Sequence, residues 1–534
     1  MKRRIVMFML AGVSLLAGTL LGTGPAGAVD VPAPAAGVPA EFGTDWHDPV
    51  TAAPPVERPS GKSCEVTLAR AQFRDFTPYR GTYTPPDGCG DRWSKVVLRL
   101  DGKVKGRQYD RLGYLHVGGV EIFRTSTPQP SPDGIEWSVE KDVTRYSDTF
   151  RTGRDVEMLI GNVVDDTYTG VLDVEVTLTF YQGRPDGKSP DRVLTLDDDS
   201  ALTAPRNSER IVAEVYATGS GGGCEEYWYL TVPEPAPYSC KAGQGPYREV
   251  QISVDGRLAG IAAPFPTVWT GGWSNPFLWY VIPGPRAFDI KPITYDLTPF
   301  AGILNDGRPH RVEVSVVGVP EGQTGWSTPV NVLVWQDEQR ARVTGKLTVH
   351  KVGDLTNSSV YTPGPEHVVA TEGAHGLTVG GYVDTSHGRV TTTVSRSLAH
   401  TSTHRWTDGE TRDALEAAWT DDESVTVGGR MTRTHRAYTM DGTTTLGAGD
   451  RLRTVLTLGD RATVVGTHGG RRTAWSRLDN SYTGDATYTA NVPRDQRHAV
   501  GTTNERYRLR GLHGCYDRTL TAVQGVLTED RNRC

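Results

Sequence analysis

The chain has 534 residues, with 57 Lys and Arg against 63 Asp and Glu, a net charge of -6, and 61 glycines and 34 prolines. The charges are spread without long blocks, so there is no electrostatic footprint for nucleic acid or an anionic membrane, and neither is expected as a partner. Abundant Gly and Pro supply the turn signals between short apolar runs that an all-β chain needs.

The first 28 residues carry Lys2, Arg3 and Arg4, an apolar run from Ile5 to Leu21, and Ala26-Gly27-Ala28. This is the layout of a secretory signal peptide, and it predicts a secreted, extracellular protein. No later run reaches the roughly 20 apolar residues of a membrane span, so no membrane attachment is expected after signal cleavage. Residues 29–60 are rich in Ala and Pro and read as an extended lead-in.

From residue 61 onward, runs such as VVLRL, VEVTLTFY, REVQISVDG, HRVEVSVVGV and VNVLVW alternate or carry β-branched residues between turn signals, and only DALEAAW (413–419) reads as helical. The fold class is all-β. Boundaries are expected at 61–185 for a first sandwich, 186–204 for a polar linker, 205–350 for a second sandwich and 351–534 for a third β-rich domain whose role the sequence does not reveal. The first two share ingredients, among them a DVTRY element (142–146) in one and DLTPF (296–300) in the other. Two related sandwiches side by side leave a groove between them, a common place for a ligand.

In GRQYDRLGYLHVGGVEIFRTSTP (106–128), Gly118-Gly119 reads as a two-residue hairpin turn. Counting outward pairs Val117 with Val120, Tyr114 with Phe123, Leu112 with Thr125 and Asp110 with Thr127. Asp110 would then end an apolar strand face, where desolvation raises its pKa and makes it a better proton acceptor. The competing reading is an ordinary Asp110–Arg111 ion pair closing a strand. In GSGGGCEEYWYL (219–230), glycines lead into Cys224, two glutamates and three aromatic rings. Carboxylates beside aromatics suit sugar chemistry, and a tethered surface loop with its rings in the core is the alternative. Trp273, flanked by Gly271-Gly272 and Asn275-Pro276, reads as an exposed ring in a turn.

The six cysteines fall as local pairs, Cys64 with Cys89, Cys224 with Cys240, and Cys515 with Cys534, and an exported protein favours disulfides. None sits in a CxxC or beside a spaced His pair, so no metal is expected. Asp197-Asp198-Asp199 lacks the spacing of a calcium loop. There is no G-x-S-x-G elbow and no H-E-x-x-H. No cofactor is expected.

The run from Ser63 to about Phe180, with the hairpin above, GIEWSVEKDVTRY and YTGVLDVEVTLTFY, followed by CEEYWYLTVP, PYREVQISVDGRLAG, PFPTVWTGG, AFDIKPITYDLTPFAGILNDGRPH and VNVLVW, resembles the peptide N-glycosidase A family over roughly residues 60–350. The resemblance implies a hydrolase that cleaves the amide between an N-linked glycan and its asparagine, with N-glycosylated peptides and denatured glycoproteins as partners. A more distant likeness is to the peptide N-glycosidase F type, which implies two adjacent jelly rolls with acids at their junction. Its aromatic-Asp-Arg strand matches Tyr109-Asp110-Arg111 and implies that Asp110 is catalytic. Its Cys-x-Glu-Trp loop is similar to Cys224-Glu225-Glu226-Tyr227 and selects Glu226 as the second acid, with Tyr standing where Trp would be. A third acid of that type falls near Asn162, leaving Asp165 or Asp166 to fill the role or the role absent. Arg111, Asn162, Trp228 and Trp273 are the expected substrate-binding residues. A non-catalytic glycan-binding protein and a glycoside hydrolase using the same acid pair are the alternatives.

Overall fold

The structure is a computed structural model describing residues 37–534 apart from 186, 220–223, 274, 324 and 513. The expected signal peptide and the glycine run before Cys224 lie outside the described residues.

The first sandwich has eight strands: β1 (Ser63–Phe73), β2 (Tyr79–Tyr83), β3 (Trp93–Val104), β4 (Leu112–Val117), β5 (Val120–Ser126), β6 (Ile135–Asp142), β7 (Arg154–Ile160) and β8 (Leu172–Gln182). They form two four-stranded antiparallel sheets, ordered β1-β8-β3-β6 and β2-β7-β4-β5. In β8 the alternation is clean: Leu172, Val174, Val176, Leu178 and Phe180 are buried, while Asp173, Glu175, Thr177 and Thr179 face outward. The inner residues meet Leu115, Val117, Val156 and Met158 of the other sheet in one core. Each such side chain contributes about 1.5–3 kcal/mol on leaving water.

The hairpin turns at Gly118-Gly119, both at positive φ, but its pairing departs from simple counting. Val117 faces Val120 and His116 faces Glu121, then a bulge in β5 sets Leu115 opposite Phe123, Tyr114 opposite Arg124 and Leu112 opposite Ser126. The extra residue, Ile122, shifts every later pair by one. Its cause lies across the domain junction, where β5 is buried throughout. There Arg124 holds both Glu121 oxygens, at 2.7 and 2.9 Å, and donates to Thr218 at 2.7 Å.

The second sandwich comprises β9 (Arg192–Thr195), β10 (Ala201–Leu202), β11 (Ser208–Val215), β12 (Thr218–Gly219), β13 (Glu249–Val254), β14 (Arg257–Ala262), β15 (Ile293–Asp296), β16 (His310–Val317), β17 (Trp326–Ser327) and β18 (Val330–Gln336). The sheets run β10-β16-β13-β14 and β15-β11-β18-β9, with a short β12-β17 pair. The expected linker 186–204 is therefore corrected: it carries β9 and β10, because Val193 and Leu202 are apolar enough to be buried in the flanking cores. The parallel DVTRY and DLTPF elements form matching Asp turns. Asp142 accepts from the Thr144 amide at 2.9 Å and Asp296 from the Thr298 amide at 3.0 Å, each starting a 3₁₀ turn at a strand end.

Beyond Val343 the chain forms one eleven-stranded antiparallel sheet: β19 (Thr344–Val352), β20 (Thr356–Thr362), β21 (Glu366–Thr385), β22 (Gly388–Thr407), β23 (Arg412–Val427), β24 (Arg430–Gly447), β25 (Arg451–His468), β26 (Arg471–Thr489), β27 (Val500–Gly511), β28 (Gly514–Val523) and β29 (Val526–Asn532). DALEAAW lies in β23 and is not helical. Leu415, Ala417 and Trp419 are buried alternately, and both edges of the strand are hydrogen-bonded, so tertiary pairing overrides helix propensity. The sheet lies against both sandwiches. Leu377, Val379, Val383 and Leu398 complete the second core, while Leu415, Trp419, Tyr438, Met440, Leu456 and Tyr482 join Trp228, Trp273 and Trp279 in the core continuous with the first.

The described part of the lead-in docks on this assembly. His47 donates to Gly525 and Val50 to Val281, each at 2.9 Å, and Trp46 stacks on Tyr280 at 4.0 Å. Three disulfides join Cys64–Cys89, Cys224–Cys240 and Cys515–Cys534, with Cα separations of 6.0, 5.3 and 5.8 Å. Among the described residues no helix is long and apolar enough to cross a membrane, which says nothing of strands.

Candidate active site at the sandwich junction

Asp110 and Arg111 immediately precede β4. The Arg111 backbone is pinned to Thr127 twice: its amide donates to Thr127 Oγ1 and its carbonyl accepts from the Thr127 amide, both at 2.9 Å. Its side chain is held by two buried primary amides. Nε donates to Asn162 Oδ1 at 3.2 Å and Nη2 donates to Gln108 Oε1. Both amides are anchored on the Gly170 carbonyl at 3.1 Å. A guanidinium fixed in this way keeps its orientation at little further entropy cost.

The other wall comes from the long loop between β14 and β15. Thr270 bonds to Ser126 at 3.2 Å and to the Thr127 carbonyl, and Trp279 Nε1 donates to the Gly272 carbonyl at 2.7 Å. This brings Gly271 against Asp110. Its amide donates to the Asp110 carboxylate, and any Cβ there would overlap Asp110 Oδ1 and Gln129 Nε2. Burial pushes the Asp110 carboxyl above its ordinary value. The Gly271 amide, its own amide, Arg111 and Gln129 oppose that shift by stabilising the ionised form.

Glu225 and Glu226 sit in a 3₁₀ turn, Cys224–Leu230, tethered by the Cys224–Cys240 bond. The two neighbours differ. Glu225 is fully buried, with Arg248 on both oxygens at 2.6 and 2.9 Å and the Trp326 indole donating at 2.5 Å. It is an internal anchor. Glu226 is partly buried, and its carboxyl is pushed up to about 7, first by burial and then by the charge of Asp110, against a hydrogen bond from Tyr227. Tyr227 is pushed up by burial and by both carboxylates. Acids from the two sandwiches thus share one electrostatic environment, in which Asp110 has four stabilising contacts for its charge and Glu226 has one.

Three of the expected binding residues are buried. Asn162 is fully buried and all four of its hydrogen-bond positions are used: Nδ2 donates to Phe73 and Gly170, and Oδ1 accepts from Arg111 and Val163. It positions Arg111 and has nothing left for substrate. Trp228 is 3% exposed and packs edge-on against Trp419 at 5.6 Å. Trp273 is 5% exposed, stacks on Tyr229 at 6.1 Å and lies against Gly442 and Leu456, so the ring in the Gly-Asn-Pro turn is covered by the C-terminal sheet. Asp165 accepts from the Thr167 and Tyr168 amides at 2.8 and 2.7 Å and closes its own turn. The sequence reading missed Gly271, Gln129 and Gln108. The Gly271-Gly272 pair signals a tight turn but not its partner.

Among the described residues, Glu209, Asp337 and His387 bring ligand atoms within 4.8 Å of one another. Lys188 already occupies Glu209 at 2.9 Å, and Ser386 donates twice to Asp337, at 2.6 and 2.8 Å. None of the three belongs to the Asp110 site.

Residues 49–352 match the family described as peptide N-acetyl-beta-D-glucosaminyl asparaginase amidase A. The chain belongs to this family. A curated relative, peptide-N4-(N-acetyl-beta-glucosaminyl)asparagine amidase A of Prunus dulcis, is 31% identical over 381 residues, covering 63% of this chain and 66% of the almond protein. The chain therefore spans slightly less than two thirds of that relative's length. Two crystal structures of PNGF-II are similar at 15% identity, one covering 51% of this chain and 66% of that chain with a TM-score of 0.36, the other 55% and 63% with 0.32. The family segment contains Asp110, Arg111, Glu226 and Gly271, while nearly all of the C-terminal sheet lies beyond it.

Proposed function

We propose that the protein is a secreted glycoamidase that hydrolyses the amide between an N-linked glycan and the asparagine side chain of glycopeptides and denatured glycoproteins. The observation that carries this reading is the unequal carboxyl pair across the sandwich junction. Asp110, whose carboxyl burial raises while Gly271, Arg111 and Gln129 oppose the rise, is the base, and Glu226, pushed up to about 7 by burial and by the charge of Asp110, is the acid.

In this reading Asp110 takes a proton from water as the oxygen bonds to the carboxamide carbon. The resulting oxyanion collapses, the carbon–nitrogen bond breaks, and the Glu226 proton passes to the departing nitrogen. The products are an aspartate in the peptide and a glycosylamine. Arg111, locked by Gln108 and Asn162, orients the substrate. Unactivated amides hydrolyse slowly, so positioning and charge stabilisation must each supply several kcal/mol.

Trp228 and Trp273 are buried and offer no stacking face, so a non-catalytic glycan-binding protein, the second reading, would need other surfaces. The deciding experiment weighs a glycopeptide after incubation. An amidase releases the whole glycan and leaves the Asn-to-Asp mass change, a glycoside hydrolase leaves a sugar on the asparagine, and a binding protein changes nothing.

A further inference from the structure

With Trp228 and Trp273 in the core, a glycan needs another surface. Among the described residues the first sandwich exposes three large apolar side chains, Phe76 at 66%, Tyr109 at 40% and Val163 at 39%. They are far apart in sequence and gathered at one place. The Phe76 ring lies over Gly161, where a Cβ would overlap it, and the neighbouring Asp75 carbonyl accepts from the Asn162 amide at 3.1 Å. Val163 follows Asn162 and its carbonyl accepts from Gln108 at 2.9 Å, and Gln108 precedes Tyr109. The Tyr109 ring lies 5.1 Å from that of Tyr168, over which the exposed Arg107 guanidinium sits at 5.5 Å.

The same two amides that lock Arg111 therefore hold the loops that present Tyr109 and Val163. We propose that Phe76, Tyr109 and Val163, rimmed by Arg107 and Arg111, form a platform on which pyranose rings of the glycan stack beside Asp110. This inference rests on the glycoamidase reading and names where its substrate lies. A pyranose has an apolar C–H face bordered by hydroxyls, and here exposed rings are bordered by guanidinium donors. Folded proteins seldom leave grouped apolar side chains in water without a partner. Tyr109 precedes Asp110 in the chain, and Asn162 and Gln108 bond to Arg111, so a glycan on the platform would lie beside the proposed site.

The test is steady-state kinetics on one glycopeptide together with ligand-observed NMR of the released glycan and of the deglycosylated peptide, each added to the full chain. Phe76→Ala and Tyr109→Ala should each raise KM about 3- to 10-fold, with a smaller effect on kcat, and weaken glycan binding by a similar factor. Phe76→Trp and Tyr109→Phe should restore both. Weakened binding of the peptide alone would overturn the assignment to glycan, and unchanged KM and binding in both alanine variants would overturn the platform. A wild-type chain that binds glycan through these residues but leaves the amide intact would remove the glycoamidase reading and keep the platform.

Discussion

Glu226 lies within reach of the Asp110 charge across the junction of the two sandwiches, and its carboxyl is pushed up to about 7, first by burial and then by that charge. With Asp110 as the proposed base, the acid side of the profile would follow its ionisation, and its carboxyl is itself raised by burial. With Glu226 as the proposed acid, the alkaline side would follow the loss of its proton. kcat/KM should therefore be bell-shaped, with a mildly acidic maximum and a descending limb near pH 7. In Glu226→Gln the maximum should fall and the descending limb should vanish. A limb persisting at the same pH in that variant would assign it to another group.

Asp110→Asn keeps the shape of the side chain and removes its basicity. Amide cleavage should drop by about 10²- to 10⁴-fold, with the circular dichroism spectrum unchanged. Glycan release near the wild-type rate by a folded variant would remove Asp110 from the mechanism.

Gly271 is required by space, since a methyl group there would overlap Asp110 Oδ1 and Gln129 Nε2. Gly271→Ala should displace the Asp110 carboxylate and lower kcat/KM by about 10- to 100-fold, a loss expected for misplacement on the scale of an ångström. Thermal melting should change little by comparison. Kinetics like wild type would mean that the loop yields and does not set the carboxylate's position.

The adjacent glutamates should separate stability from activity. Glu225→Ala strands the Arg248 charge in the core, where both side chains are fully buried, and should cost about 3–5 kcal/mol, read as a large fall in denaturant midpoint. Glu226→Gln should leave the midpoint nearly unchanged while impairing cleavage. If both variants melted alike, the contrast in their environments would carry no functional meaning.

Trp419 lies in β23 between His400, stacked at 4.9 Å, and Trp228, the ring two residues beyond Glu226. Trp419→Ala should cost about 3–5 kcal/mol and loosen the Glu226 turn, so that activity is lost on heating before the two sandwiches unfold. A chain ending at residue 350 should aggregate, because it leaves the apolar faces around Trp228, Trp273 and Trp279 in water. A soluble, active 1–350 fragment would show that the sheet is dispensable.

Local pattern was enough for the all-β class and the Gly118-Gly119 turn, because strand period and glycine at positive φ are properties of a few adjacent residues. The three local cysteine pairs are bonded as short loops favour. What failed depended on partners remote in sequence. DALEAAW has helical propensity and became a strand because β22 and β24 flank it, and the hairpin slipped by one residue because the Glu121–Arg124 pair is fixed against the second sandwich. Trp273 sits in a turn whose residues suggest exposure, and strands nearly 170 residues later bury it. The sequence offered Glu225 and Glu226 as equivalent neighbours, with only a family likeness to choose between them. Tertiary structure separated them by giving Arg248 to one and the field of Asp110 to the other. The protonation state of a carboxyl follows from desolvation and the charges around it, and those are supplied by segments distant in the chain.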